Sequence, residues 1–156
     1  MSEELPRLGQ GFFWQDLRAG QRFQTFRRTV TEADLVGFIN ATGMLEVIFI
    51  DAHHKNGAIN GRPVPAALTY ALIEGFILQS MIQGTGMAML ELHKKILKPV
   101  KVNDTIHAEI EVTEIRETSK GGRAVVTSRV DIFNQHTEMV MTYIATRLLA
   151  GRPAVA

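Results

Sequence analysis

Residues 66–82 read AALTYALIEGFILQSMI, with only Thr69, Tyr70, Glu74, Gln79 and Ser80 interrupting an apolar run. No other stretch restricts the fold so strongly. At ~3.6 residues per turn it makes about four to five helical turns. A helix lying on a surface shows one apolar stripe, whereas a helix apolar all round is buried. About 17 residues is the lower limit for a membrane span, and Glu74 near the middle weighs against one. The run therefore predicts a core helix that the rest of the chain must wrap.

The flanking segments suit that task. Residues 31–41, TEADLVGFINA, predict a helix: Thr31 and Asp34 form a capping-box pair, and Val30 and Leu35 stand where a hydrophobic staple would sit. Leu35, Phe38 and Ile39 give its apolar stripe, and Gly43 stops it. Before it, residues 22–30 (RFQTFRRTV) predict a strand, and the three aromatics of residues 11–17 predict packing on the domain edge or on a partner subunit. After it, residues 45–50 read as a short apolar strand with Glu46 embedded, and 51–65 as a loop rich in Asn, Gly and Pro. Pro65 suits the entry of the core helix.

Beyond residue 86 the period changes to two. Residues 87–99, 105–117, 124–133 and 139–149 all read as strands. The second is the clearest, with Ile106, Ala108, Ile110 and Val112 alternating against His107, Glu109, Glu111 and Thr113. SKGG at 119–122 predicts a hairpin turn. Strand, helix, short strand, loop, buried helix and a meander of long strands make an α+β class. Its arrangement is the hot-dog fold, a curved antiparallel sheet wrapped around a buried central helix. An open sheet edge in such a fold predicts dimerisation.

Composition narrows the function. The chain of 156 residues has a net charge of +1 and no Lys/Arg block interleaved with aromatics, so nucleic-acid binding is not expected. It has no cysteine, which excludes disulfides, thiolate metal sites and a Cys nucleophile and fits the cytoplasm. Residues 1–10 lack an apolar core of the signal-peptide kind and predict a flexible arm.

Four stretches carry a family resemblance. Residues 12–23 open with an aromatic followed by a "dl..Gq.f" pattern, and TVTEADLVGFINATG (29–43) resembles a "TvTeaDi..Fa.ltG" signature. KPVKVNDTI (98–106) resembles "PV..GDTl", and VDIFNQHTEMVM (130–141) a "v.nq.ge.v" hairpin. Over residues 12–149 the chain resembles the MaoC-like dehydratases, relatives of the (R)-specific enoyl-CoA hydratases. The resemblance implies one hot-dog domain over residues 11–150, between the arm 1–10 and a tail 151–156. It implies an acyl-CoA thioester as substrate, no cofactor beyond the coenzyme A of that substrate, no metal, no membrane, and a homodimer or higher homo-oligomer.

The chain departs from the family where the chemistry sits. Family hydratases carry Gly-Asp-x-Asn-Pro-x-His-x-Asp after the first helix; residues 43–51 read GMLEVIFID. Met44 stands in place of the catalytic Asp and Phe49 in place of the catalytic His, and only Gly43 and Asp51 match. Ala66 replaces the glycine whose backbone N–H polarises the thioester carbonyl. That loss is mild, because alanine has the same N–H and the helix N-terminus still favours negative charge. Met and Phe, by contrast, move no protons.

Substitutes must therefore be sought. Glu46, two residues from Met44 in an expected strand, would share its face, and burial would suit it to acid–base work; the plain alternative is a strand-edge Glu facing solvent or paired with a base. Asp51 either serves catalysis or caps a turn. His53 and His54 either fold back to supply an imidazole or are solvated. Glu74 supports a thioesterase alternative, since other hot-dog enzymes use a carboxylate on this helix, against a partly exposed Glu near Tyr70. Arg62, Lys94, Lys95 and Lys98 could meet coenzyme A phosphates, and Met44 and Phe49 could line an acyl pocket. The expectation is thus a hydratase or dehydratase with a non-standard site. Alternatives are an acyl-CoA thioesterase and a non-catalytic acyl-CoA-binding or assembly subunit.

Overall fold

The structure, a computed structural model, describes residues 5–55 and 58–154. Parts of the predicted arm (1–4), the turn-rich loop (56–57) and the tail (155–156) lie outside the described residues. A short 3₁₀ turn at Trp14–Asp16 leads into β1 (Arg22–Gln24), β2 (Arg28–Thr29), α1 (Glu32–Thr42), α2 (Val47–Ile50) and α3 (Ala66–Gln79). Four long strands follow: β3 (Gly86–Ile96), β4 (Thr105–Glu117), β5 (Arg123–Phe133) and β6 (Met139–Ala150). The antiparallel sheet runs β1-β4-β5-β6-β3, and β2 also pairs with β4.

Alternation builds one apolar face. Ile106, Ala108, Ile110 and Val112 of β4 are buried, as are Val126, Val130 and Ile132 of β5 and Met141, Tyr143, Ala145 and Leu149 of β6. These residues fall in register across the sheet, so that Ile110, Val130 and Tyr143 form one row. Against this face lie Leu68, Ile73 and Ile77 of α3 and Leu35 and Ile39 of α1. Helix α1 starts as its sequence requires: Asp34 N–H donates to Thr31 Oγ1 at 3.2 Å and Thr31 N–H to Asp34 Oδ2 at 2.8 Å. Val30 and Leu35 are both fully buried beside that cap. Gly43 closes the helix at φ 73°, a left-handed position that glycine occupies without steric cost. The aromatic segment folds back on the far end of α3, with Gly11 N–H donating to the Gln83 carbonyl and Phe12 N–H to the Met81 carbonyl. A Cβ on Gly11 would meet Gln83 N at 2.5 Å, so only glycine permits this approach.

Four expectations are corrected. Residues 45–50 are not a strand: Val47–Ile50 form one helical turn capped by Glu46. Four apolar residues in a row fit either period, and the carboxylate of Glu46 settles it by accepting the Ile48 N–H at 2.7 Å. Residues 22–30 are two short strands rather than one. Between them Thr25 turns its Oγ1 to accept the Ala108 N–H, leaving Phe26 85% exposed. Helix α3 ends at Gln79, short of Ile82. Nor does the chain wrap α3 completely: Ala71 and Leu78 are exposed beside β3, itself open along most of its length.

Candidate functional site

The N-terminus of α3 is set by the segment before it. Val64 N–H donates to the Val100 carbonyl and Pro63 bridges Lys101, which pins the chain to the loop after β3. Pro65 then opens the helix, its carbonyl taking the Leu68 and Thr69 N–H groups. No acceptor among the described residues takes the N–H of Ala66 or Ala67, the donors that a first helical turn leaves unused. Together with the helix dipole they make a place where negative charge on an oxygen is favoured.

A cavity and an open cleft meet there. One, of about 330 Å³, is almost wholly apolar and lies between α2, the start of α3 and the end of β3, with Phe49, Ala66, Ile96, Leu97 and Met141 among its walls. The other, of about 500 Å³, is lined by Met44, Leu45, Glu46, Phe49, Ala66 and Ala67. Phe49 and Ala66 are common to both. The structure thus brings together Met44, Glu46, Phe49 and Ala66. Glu46 reaches this cleft as a helix cap rather than as a strand residue, and it is exposed rather than buried. Its Oε2 accepts the Ile48 N–H, while Oε1 has no partner among the described residues.

Other candidates lie elsewhere. Asp51 ends α2, and its Oδ1 accepts the His53 N–H at 2.9 Å, the local turn that Asp commonly makes. His53 and His54 line a separate cleft with Lys55 and Asn60, away from Ala66. Arg62 pairs with Glu32. Lys94 sits over the Tyr70 ring, 4.2 Å from its centre. Lys98 alone of the basic candidates lines the apolar cavity, and it pairs with Glu138 at 2.5 Å.

Glu74 is corrected outright. It is 7% exposed, not at a partly exposed end. Tyr143 OH donates to its Oε1 at 2.7 Å and the Arg147 guanidinium at 2.5 Å. Burial first, then the Glu74 charge, push the Tyr143 phenol far above its ordinary range, so Tyr143 is a neutral donor. Burial and the same carboxylate also raise Tyr70. Sequence reasoning missed this cluster, yet β6 carried its signal. Tyr143, Ala145, Arg147 and Leu149 share the inward parity of MVMTYIATRLLA, so an arginine faces the core and needs an acid.

Residues 18–143 match the family described as FAS1-like, dehydratase domain region. The chain is 23% identical to a 3-hydroxybutyryl-CoA dehydratase of Methylorubrum extorquens over 126 residues, 81% of this chain and 79% of that protein. The fold superposes on a MaoC-like dehydratase from Rhodospirillum rubrum with a TM-score of 0.80 at 24% identity, covering 92% of this chain and 100% of that one. It also superposes on a double hot-dog protein from Mycobacterium tuberculosis with a TM-score of 0.79 at 18% identity, covering 97% of this chain and 47% of the other.

Proposed function

Because the chain belongs to the FAS1-like dehydratase-region family, in its MaoC-like hot-dog form, we propose that it hydrates 2-enoyl-CoA thioesters or dehydrates 3-hydroxyacyl-CoA thioesters, with Glu46 as the proton-transfer group. The observation that carries this is the pairing of two N–H donors at the start of α3 with a carboxylate oxygen, Oε1 of Glu46, none of which has a partner among the described residues, in one cleft beside an apolar cavity. The cavity takes the acyl chain. The thioester oxygen sits at the Ala66 N–H, where charge developing on it is stabilised. In hydration, Glu46 takes a proton from water as the hydroxide oxygen bonds the β-carbon. The double-bond electrons move onto the thioester oxygen, and the proton returns to the α-carbon. Both transfers need only one carboxylate within hydrogen-bond reach. Met44 and Phe49 then serve as apolar walls of the cleft.

Glu74 does not suit the thioesterase alternative. Eight residues along α3 place it about 12 Å from Ala66 at ~1.5 Å per residue, and its carboxylate already accepts from two donors. A thioesterase would have to use Glu46, directing water at the carbonyl carbon. The binding-subunit alternative requires a cleft without an ionisable group, and Glu46 lines this one. The test is turnover of 2-enoyl-, 3-hydroxyacyl- and saturated acyl-CoAs by the purified protein, with products identified by mass. Addition or loss of water supports the proposal, free coenzyme A favours the thioesterase, and binding without turnover favours the non-catalytic subunit.

A further inference from the structure

We propose that the acyl chain this site accepts carries a neutral oxygen substituent, oxo or hydroxyl, beyond its β-carbon, and that the Thr69 hydroxyl recognises it. This rests on the reading above in one respect, that the acyl chain enters the apolar cavity beside Ala66.

Thr69 is out of place in that cavity. It shares the wall with Val64, Ile96, Leu97 and Met141 and is only 1% exposed. Its hydroxyl has no hydrogen-bond partner among the described residues. Nor is it sealed off: the sealed, unpartnered side-chain atoms among those residues belong to Trp14, Thr85, His107 and Arg147. The small accessible area left to Thr69 therefore falls on Oγ1, at the cavity wall.

A helical Thr or Ser commonly satisfies itself by donating to the carbonyl four residues back. Thr42 does so to Phe38 at 2.7 Å, and Ser80 to Phe76 at 2.5 Å. For Thr69 that carbonyl belongs to Pro65, which already accepts the Leu68 and Thr69 N–H groups. A carbonyl has two lone pairs, and both are taken. A plain alkyl chain filling the cavity would strip the Thr69 hydroxyl of water and give it no bond, which costs free energy. A chain with an oxygen at that point restores the bond.

Position along α3 says which part of the chain Thr69 meets. It follows Ala66 by three residues, on the same helix face and about 4.5 Å further along the axis. The β-oxygen is not its partner. That oxygen must face Glu46, which lines the open cleft and not the cavity, whereas Thr69 lines the cavity and not the cleft. With the thioester oxygen at the Ala66 N–H, the group at Thr69 lies further down the chain. Charge limits its kind. Lys98, the other polar residue of the wall, pairs with Glu138. A carboxylate beside Thr69 would be a buried charge without a countercharge. An oxo or hydroxyl group matches a hydroxyl that can both donate and accept.

Saturated thioesters test this without turnover, since they have no double bond to hydrate and no β-hydroxyl to lose. The probes are 4- and 5-oxohexanoyl-CoA, each beside the thioester with a methyl in place of the oxygen, titrated calorimetrically into the whole protein. At one of the two positions the oxo compound should bind about tenfold tighter than its methyl counterpart. Thr69→Val keeps the branched shape without the hydroxyl and should abolish that preference, and Thr69→Ser should keep it. Because the hydroxyl makes no bond within the described residues, Thr69→Val should melt no lower than wild type. Equal binding of oxo and methyl compounds at both positions, or a preference that survives Thr69→Val, overturns the proposal. A preference lost in Thr69→Val sustains it even where no thioester is turned over. Failure of all four thioesters to bind overturns it together with the acyl-CoA reading.

Discussion

Glu46 and Glu74 are carboxylates in opposite circumstances. Glu74 is buried in the middle of α3 and accepts from a phenol and a guanidinium. Glu46 stands in a cleft at the start of the same helix, with one oxygen bonded to a backbone N–H and the other without a partner among the described residues. A carboxylate surrounded by donors is fixed in place and has little left to offer a substrate. One with a free oxygen beside unused N–H groups can still exchange a proton.

The sharpest break in this comparison is at Glu46. Glu46→Gln keeps an oxygen for the Ile48 N–H but cannot carry a proton, so kcat should fall about 10²–10⁴-fold while the melting temperature holds. Steady-state rates beside a thermal melt check both halves. Next comes the partner of Glu74. Arg147→Leu leaves a buried carboxylate without its countercharge and should cost about 3–5 kcal/mol in denaturant unfolding. Adding Glu74→Met should recover most of that, and the surviving folded protein should turn over normally. Loss of turnover in the stable double variant would make Glu74 more than a structural group.

Two other carboxylates extend the series. Asp34 accepts from the Thr31 N–H, the Thr31 hydroxyl and Arg28. Burial works to raise its pKa, but those bonds outweigh it and hold Asp34 below its ordinary value. A depressed folded value contributes stability above the unfolded pKa and loses it as pH falls through the folded one. Asp34→Ala should therefore cost about 1 kcal/mol at neutral pH, a gap that closes on acidification, as melts from pH 7 downward would record. Asp51, with its single turn bond to His53, should matter least. Asp51→Ala and His53→Ala should each stay within about 0.5 kcal/mol of wild type and leave kcat unchanged. A large loss of rate in either would move the chemistry out of the Glu46 cleft.

Much of the fold was legible because local rules agreed with one another. Thr31, Asp34, Val30 and Leu35 announced α1, alternation announced β4, and the glycines at 121 and 122, both at φ 65°, made the hairpin turn. The stretch 45–50 was not legible, since four apolar residues carry no period and the deciding bond comes from a side chain. The Glu74–Arg147 pair joins residues 73 apart in sequence, which no local pattern records; only the inward parity of β6 hinted at it. The geometry of the candidate cleft was half legible. Ala66, Met44, Phe49 and Glu46 were named, but what brings Glu46 to them is a helical cap rather than the shared face of a strand.

The strand order also sets a timetable for synthesis. Helix α3 is complete at Gln79, yet β6, whose Tyr143 and Arg147 cover its carboxylate, begins only at Met139. At ~5–20 residues per second those roughly sixty residues take about 3–12 s to emerge. Throughout that interval the most apolar segment of the nascent chain waits for its cover, with Glu74 still hydrated. The ion pair that later secures the helix is also the last part of its setting to be translated.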